Sequence, residues 1–172
     1  RPSSLHRLSS SLSIVHLPQT PIFVFMLINY PTPAFRIKKE GEKEYLFDPL
    51  RKKWIVLTPE EWVRQNFIQY LLQTMNYPAP LMAVEKEIQL GELKKRFDIL
   101  VYDKMHQPWM MIECKAPAIR LDETVLQQLL RYHISIPTGF LVITNGEYSY
   151  GWQKKDQRLQ LLQELPEWVD GI

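Results

Sequence analysis

A chain of 172 residues with 45% hydrophobic side chains is enough for one domain with a sizeable core and little more. Its 21 Lys and Arg against 19 Asp and Glu leave a formal charge of only +2, so any affinity for nucleic acid has to come from local clusters and not from a global field. The single cysteine, Cys114, excludes an internal disulfide framework and a multi-cysteine zinc site, and the longest uncharged apolar run, Ile22 to Ile28, is far short of the roughly 20 residues that span a bilayer. A cytoplasmic protein is expected.

The first 25 residues are rich in Ser and Pro, carry no acid and show neither helical nor strand periodicity. They read as a disordered leader or extension, with residues 26–172 as one domain. Pro18 and Pro21 interrupt the place where a secretory signal is apolar, and Met26 is an alternative start. From Phe35 the chain becomes orderly, with strand-like FRIKK and EYLF, a turn around DPLRKK and strand-like WIVL, together one edge of the domain. In TPEEWVRQNFIQYLLQTM, Thr58 is a helix N-cap, Pro59 the first helical residue and Glu61 the third after the cap, a capping-box pattern. Trp62, Phe67, Tyr70, Leu71 and Met75 recur at near-helical spacing until Asn76 to Pro80 stops the helix.

LMAVEKEIQL then alternates in character, and RFDILVYDKMHQPWMMIECKAP reads as two strands joined by a loop near Asp103 to Gln107. A helix is predicted over LDETVLQQLLRYHI, a hairpin turning at Asn145-Gly146 inside TGFLVITNGEYSYGW, and one last short helix in DQRLQLLQEL.

The loop position sets the register of the Arg96–Pro117 hairpin. Leu100 faces Met111 and Tyr102 faces Trp109 on one side, while Phe97 faces Cys114, Ile99 faces Ile112 and Val101 faces Met110 on the other. Both sides are apolar, which predicts a central strand pair covered on each face. The same register sets Asp98 opposite Glu113 at the open end, with Lys115 two residues on and on the same face as Glu113. Opposed Cβ atoms in an antiparallel pair are about 5 Å apart, so two carboxylates there repel unless something cationic lies between them. A magnesium ion, which commonly takes one or two carboxylates plus water and substrate phosphate, meets that need, with Lys115 orienting a bound water or stabilising charge on a phosphate. A surface salt bridge of Lys115 with the acids explains the same three residues. In the following helix Leu121, Val125, Leu129 and Tyr132 form an apolar stripe that includes Gln128, and an amide there needs partners, of which the acid-acid-lysine cluster is the nearest; capping a strand end is the other reading.

These residues, as RFDILVYD, IECKAP and the Gln-x-x-x-Tyr of QLLRY, resemble the PD-(D/E)XK phosphodiesterase superfamily, and most of all the nuclease domain at the N-terminus of type I restriction enzyme R subunits. The likeness runs from about Phe35 to Trp152, and FDPLRKKWIVLTPEEWVRQ is similar to the lead-in of small bacterial proteins of that group. It implies an α/β (α+β) restriction-endonuclease-like core in the order α-β-β-β-α-β, a central mixed sheet of about four to five strands flanked by helices. It also implies a nuclease that hydrolyses DNA with Mg²⁺ or Mn²⁺ bound by Asp98 and Glu113, with Lys115 catalytic and Gln128 and Tyr132 supporting the site or the DNA. The partners implied are DNA and subunits of a restriction or repair complex, with no membrane and with oligomers left open. No G-x-x-x-x-G-K-[ST] occurs in the 172 residues, so they hold no ATPase motor of the restriction-subunit kind. A catalytically idle nucleic-acid-binding or interaction module on the same fold is the alternative.

Glu61 is a candidate additional metal acid, because some members of the superfamily use a glutamate from the first helix, although its cap position accounts for it without metal. Lys94, Lys95 and Arg96, next to Asp98, are the better candidates for gripping phosphates, ahead of Arg51 to Lys53. The four histidines show no metal-ligand spacing, and His106 falls in the hairpin loop.

Overall fold

The computed structural model describes residues 24–168 apart from 91, 135 and 157, without the side chains of Leu90, Leu93 and Tyr132; the expected leader lies outside the described residues as far as residue 23. Three short strands come first, β1 (Ile37–Glu40), β2 (Lys43–Asp48) and β3 (Lys53–Val56), paired antiparallel as a sheet of their own and not as an edge of the main one. One side of this small sheet is buried through Leu46 and Asp48, both 0% exposed. The other carries aromatic rings with cations laid over them, Arg36 on Phe47 and Lys38 on Trp54.

Helix α1 (Pro59–Gln73) starts where the sequence predicts, with the Thr58 hydroxyl accepting from the Glu61 amide at 3.1 Å. The reciprocal half of the capping box is not made. The Thr58 amide donates to the Val56 carbonyl instead, and the Glu61 carboxylate turns to arginines. The helix buries two kinds of surface. Its middle, Val63, Phe67, Ile68 and Leu71, packs into the core, each such residue contributing about 2–3 kcal/mol of apolar burial, while near its start Glu61, Arg64 and Gln65 are buried as polar groups.

A 3₁₀ turn (Ala79–Leu81) leads into a six-stranded sheet in the order β4-β5-β6-β7-β8-β9, made of β4 (Met82–Leu90), β5 (Leu93–Tyr102), β6 (Pro108–Cys114), β7 (Phe140–Thr144), β8 (Ser149–Lys155) and β9 (Arg158–Leu162). Only β6 and β7 run parallel, and helix α2 (Glu123–His133), capped by Asp122, makes the crossover between them. From α1 onward the order is α-β-β-β-α-β, as expected, followed by two more strands. The last of these, β9, replaces the expected final helix: pairing of Arg158–Leu162 with β8 overrides the helix propensity of its Leu and Gln. At Asn145-Gly146 the chain does turn back, through a four-residue connection in which Asn145 Oδ1 accepts from the amides of Glu147 and Tyr148, and Gly146 has φ +88°.

The β5–β6 register matches the expectation at Ile99↔Ile112, Leu100↔Met111 and Val101↔Met110, around the loop Asp103 to Gln107. It departs at both ends: Tyr102 pairs with Pro108 and not Trp109 because a bulge follows Val101, and the predicted pairs Asp98–Glu113 and Phe97–Cys114 are not made, Phe97 packing on the α2 side with Leu100 while Cys114 packs on the α1 side with Ile99. Both faces are covered. Ile99, Val101, Met110 and Ile112 pack with α1, and Leu100 and Met111 with Leu121, Leu126 and Ile136 on the α2 side. The middle of the sheet is therefore buried between two helices, with Asp98, Glu113 and Lys115 where β5 and β6 part.

Candidate active site

Beyond Ile99↔Ile112 the strand pair opens, and the Cys114 amide donates to Asp98 Oδ2 at 2.7 Å, a side chain taking the place of a backbone carbonyl. The other oxygen, Oδ1, accepts from Arg64 Nη2 of α1, also at 2.7 Å. Glu113 lies across the opening with Oε1 2.6 Å from Lys115 Nζ and Oε2 3.6 Å from His133 Nε2 of α2. Asp98 is thus turned toward α1 and Glu113 toward α2, and not side by side on one face as the register predicts, although the Asp98 charge still acts on Glu113. Burial first, and the Asp98 charge second, raise the Glu113 carboxyl above its ordinary range against the pull of Lys115. The Lys115 ammonium, opposed by burial, is held up by Glu113, then by Asp98 and Glu60. Asp98, Glu113 and Lys115 are half-buried, with side chains 16%, 14% and 27% exposed, and Glu60 of the first turn of α1 completes the electrostatic cluster at its rim.

The strand next to Asp98 is irregular. The β4–β5 ladder passes from Val84↔Ile99 to Lys86↔Phe97 without pairing Glu85, which sits in that gap with φ +51°. A non-glycine residue in this left-handed region costs on the order of 1–2 kcal/mol, and such residues persist where surrounding contacts hold them. Here the contacts are arginines. Glu85 meets Arg51, Arg64 and Arg96, which hold its carboxyl below the usual range against partial burial. Arg51 also binds Asp48 and Glu61, and Gln65 Nε2 donates to both of those acids at 2.9 Å. A network of acids and arginines therefore joins the small sheet, α1, β4 and β5 directly behind Asp98.

The residues singled out in the sequence do not all gather at one place. Glu113 and Lys115 pair, and the Asp98 charge acts on both. Glu61 does not join them: it is 6% exposed and belongs to the arginine network, and it is Glu60, one residue earlier, whose charge reaches Glu113 and Lys115. Of the basic run, Lys94 is exposed and 3.5 Å from Glu87, Arg96 is exposed and paired with Glu85, and Lys95 is buried, where its charge acts on His133. A buried Lys95 corrects its expected place on a phosphate-gripping surface. Gln128 is also corrected. It is exposed, because α2 turns Leu126 and His133 fully inward and leaves Val125 and Leu129 only partly buried beside Gln128; the side chain of Tyr132 lies outside the described residues.

Sequence reasoning missed Arg64, Glu60, His133 and Glu85. The i,i+4 spacing of Glu60 and Arg64 in EEWVR was a legible pairing signal, whereas Glu85 meets its partners only through tertiary structure.

Among the described residues no group of three or more His, Cys, Asp or Glu side chains is arranged to hold a metal ion with protein ligands alone. Asp98 and Glu113 offer hard oxygens from two strands, a donor set that fits magnesium, which keeps most of its shell as water and phosphate. A mixed sheet covered by helices on both faces, with two acids and a lysine where its central antiparallel pair opens, is a restriction-endonuclease-like α+β fold. The family model for the type I restriction enzyme R protein N terminus matches residues 59–166, from the start of α1 to beyond β9, and the chain belongs to that family. No curated protein matches the chain. Among the described residues no helix is long and apolar enough to cross a membrane.

Proposed function

We propose that the protein is a metal-dependent nuclease that hydrolyses DNA phosphodiester bonds, with Asp98 and Glu113 holding Mg²⁺ or Mn²⁺ and Lys115 catalytic. The observation that carries this reading is the Glu113–Lys115 pair, with the Asp98 charge acting on both, where a sheet opens in a chain of the restriction R-protein family. The ion, when bound, would supply positive charge beside the scissile phosphate and acidify a water. The chain's own residues do the rest. Asp98 is fixed on both oxygens, so it presents its remaining lone pairs in one direction. Glu113 is tethered by Lys115, whose ammonium would stabilise charge developing on an attacked phosphate, and His133 bounds the opening on the α2 side. Burial keeps His133 neutral, with a pKa of about 4, so it adds no positive charge near neutral pH.

Substrate contacts outside the opening are assigned to Lys94 and to Gln128, both solvent-facing, with Glu60 as an additional acid at the rim. The family is that of the type I restriction enzyme R protein N terminus, so DNA and the subunits of a restriction complex are the proposed partners. The test is incubation of the purified chain with Mg²⁺ or Mn²⁺ and a panel of linear, circular and branched DNA, with the same sequences as RNA. Metal-dependent cleavage of DNA is expected. DNA binding with no cleavage under any of these conditions supports the idle-module reading instead.

A further inference from the structure

The side chain that meets Asp98 most closely is neither an acid nor the lysine of the motif. Arg64 is 4% exposed and its guanidinium is divided: Nη2 serves Asp98 Oδ1 at 2.7 Å and Glu60 Oε1 at 3.1 Å, while Nη1 binds Glu61 and lies 3.7 Å from Glu85 Oε1. Its far side is itself fixed, because Glu61 is held by Arg51 and Gln65, and Glu85 by Arg51 and Arg96. The strained backbone of Glu85 aims its carboxylate into this group from the strand position beside Asp98. A cation anchored on two sides in this way is not poised to leave; it transmits the position of a rigid network to one carboxylate.

We infer that Arg64 is a positioning residue for Asp98: through it the buried arginine–acid network holds the Asp98 carboxylate against the Cys114 amide, ready to serve as a ligand. Asp98 stands at the end of a strand pair that has already opened, where two contacts, one from a backbone amide and one from Arg64, fix its oxygens. Planar, forked geometry is what the position requires. A lysine in its place keeps the charge but presents one nitrogen, which cannot face Asp98 and Glu61 in the same way. Groups that orient a metal-binding side chain typically change metal affinity or activity by about 10- to 100-fold when altered.

The inference rests on the nuclease reading only for what Asp98 binds, and the Cys114 amide separates the two. Its acceptor is Asp98 Oδ2, so its exchange with solvent reports where the carboxylate is with no metal or DNA present. The experiment compares the unmodified chain with Arg64→Lys and Arg64→Gln by amide hydrogen exchange, and then by Mn²⁺ titration. In Arg64→Lys the Cys114 amide is expected to exchange at least about tenfold faster while Met110 and Ile112 in the same strand keep their rates, and Mn²⁺ affinity is expected to fall by about tenfold. Arg64→Gln should show a larger effect; if that variant does not fold, Arg64→Lys decides alone. An unchanged Cys114 amide in a folded Arg64→Lys protein overturns the inference. A responding amide in a chain that binds no Mn²⁺ upholds the role of Arg64 and defeats the nuclease reading.

Discussion

Replacing His133 by Gln should flatten the acid side of the protein's stability curve. His133 is 2% exposed, and burial, followed by the charges of Lys95 and Lys115, lowers its imidazole from 6.5 to about 4. In the unfolded chain the same side chain takes up a proton near its ordinary value. Between the two, the unfolded state binds more protons, so the contribution of His133 to stability is complete above about pH 7 and is lost as pH falls toward 4. The gap between 6.5 and about 4, at about 1.4 kcal/mol for each pH unit, is roughly 3 kcal/mol. Glu113 acts in the opposite sense, because a carboxyl raised in the folded state favours folding as it takes up its proton. Glu113 is present in both proteins, so to first order it cancels in the difference between them. Urea unfolding of both proteins from pH 8 to pH 4.5 measures that difference. The His133→Gln chain is expected to lose about 2–3 kcal/mol less than the unmodified chain on acidification. Parallel curves would refute the picture of a histidine kept neutral by its surroundings.

Lys115→Ala should retain most Mg²⁺ binding yet cleave at least about 10²-fold more slowly, because the ammonium beside Glu113 is removed and both acids remain; equal rates would remove Lys115 from the chemistry. Asp48→Ala should cost about 3–5 kcal/mol in urea unfolding, since Asp48 is 0% exposed and accepts from Arg51, Gln65 and the amides of Leu50 and Arg51; a loss below about 1 kcal/mol would show that the network does not brace the fold. Gln128→Ala should leave stability within about 0.5 kcal/mol, because the side chain is exposed, and should raise KM for DNA with kcat unchanged; a loss of several kcal/mol would mean that Gln128 is buried in solution.

The hairpin that carries the acids was the most legible part of the chain, for a physical reason. Runs such as FDILVY and PWMMIEC are apolar on both alternating sets, so only a doubly covered central pair satisfies them, and the loop length then sets the register. Helix α2 was legible in extent but not in rotation. Leu126, Leu129 and Leu130 allow more than one inward face, and packing against the sheet selects the one with Leu126 and His133. In Arg158–Leu162 the alternation of Leu with Arg and Gln fits a strand as well as its composition fits a helix, and β8 decides between them. The arginine network was hidden more deeply. Asp48, Glu61, Glu85 and Asp98 are far apart in sequence, Asp48 and Glu85 alone read as ordinary surface acids, and nothing local announces that Glu85 leaves the ladder.

The most direct test of the central claim is the initial rate at which the purified chain opens supercoiled DNA in Mg²⁺, measured beside Asp98→Asn. The substitution keeps the size of the side chain and removes one of the two acids proposed to hold the ion. The unmodified chain is expected to cleave, to stop when the metal is chelated, and to lose both cleavage and metal binding in the variant. Cleavage by Asp98→Asn at the rate of the unmodified chain would place the activity elsewhere and contradict the assignment.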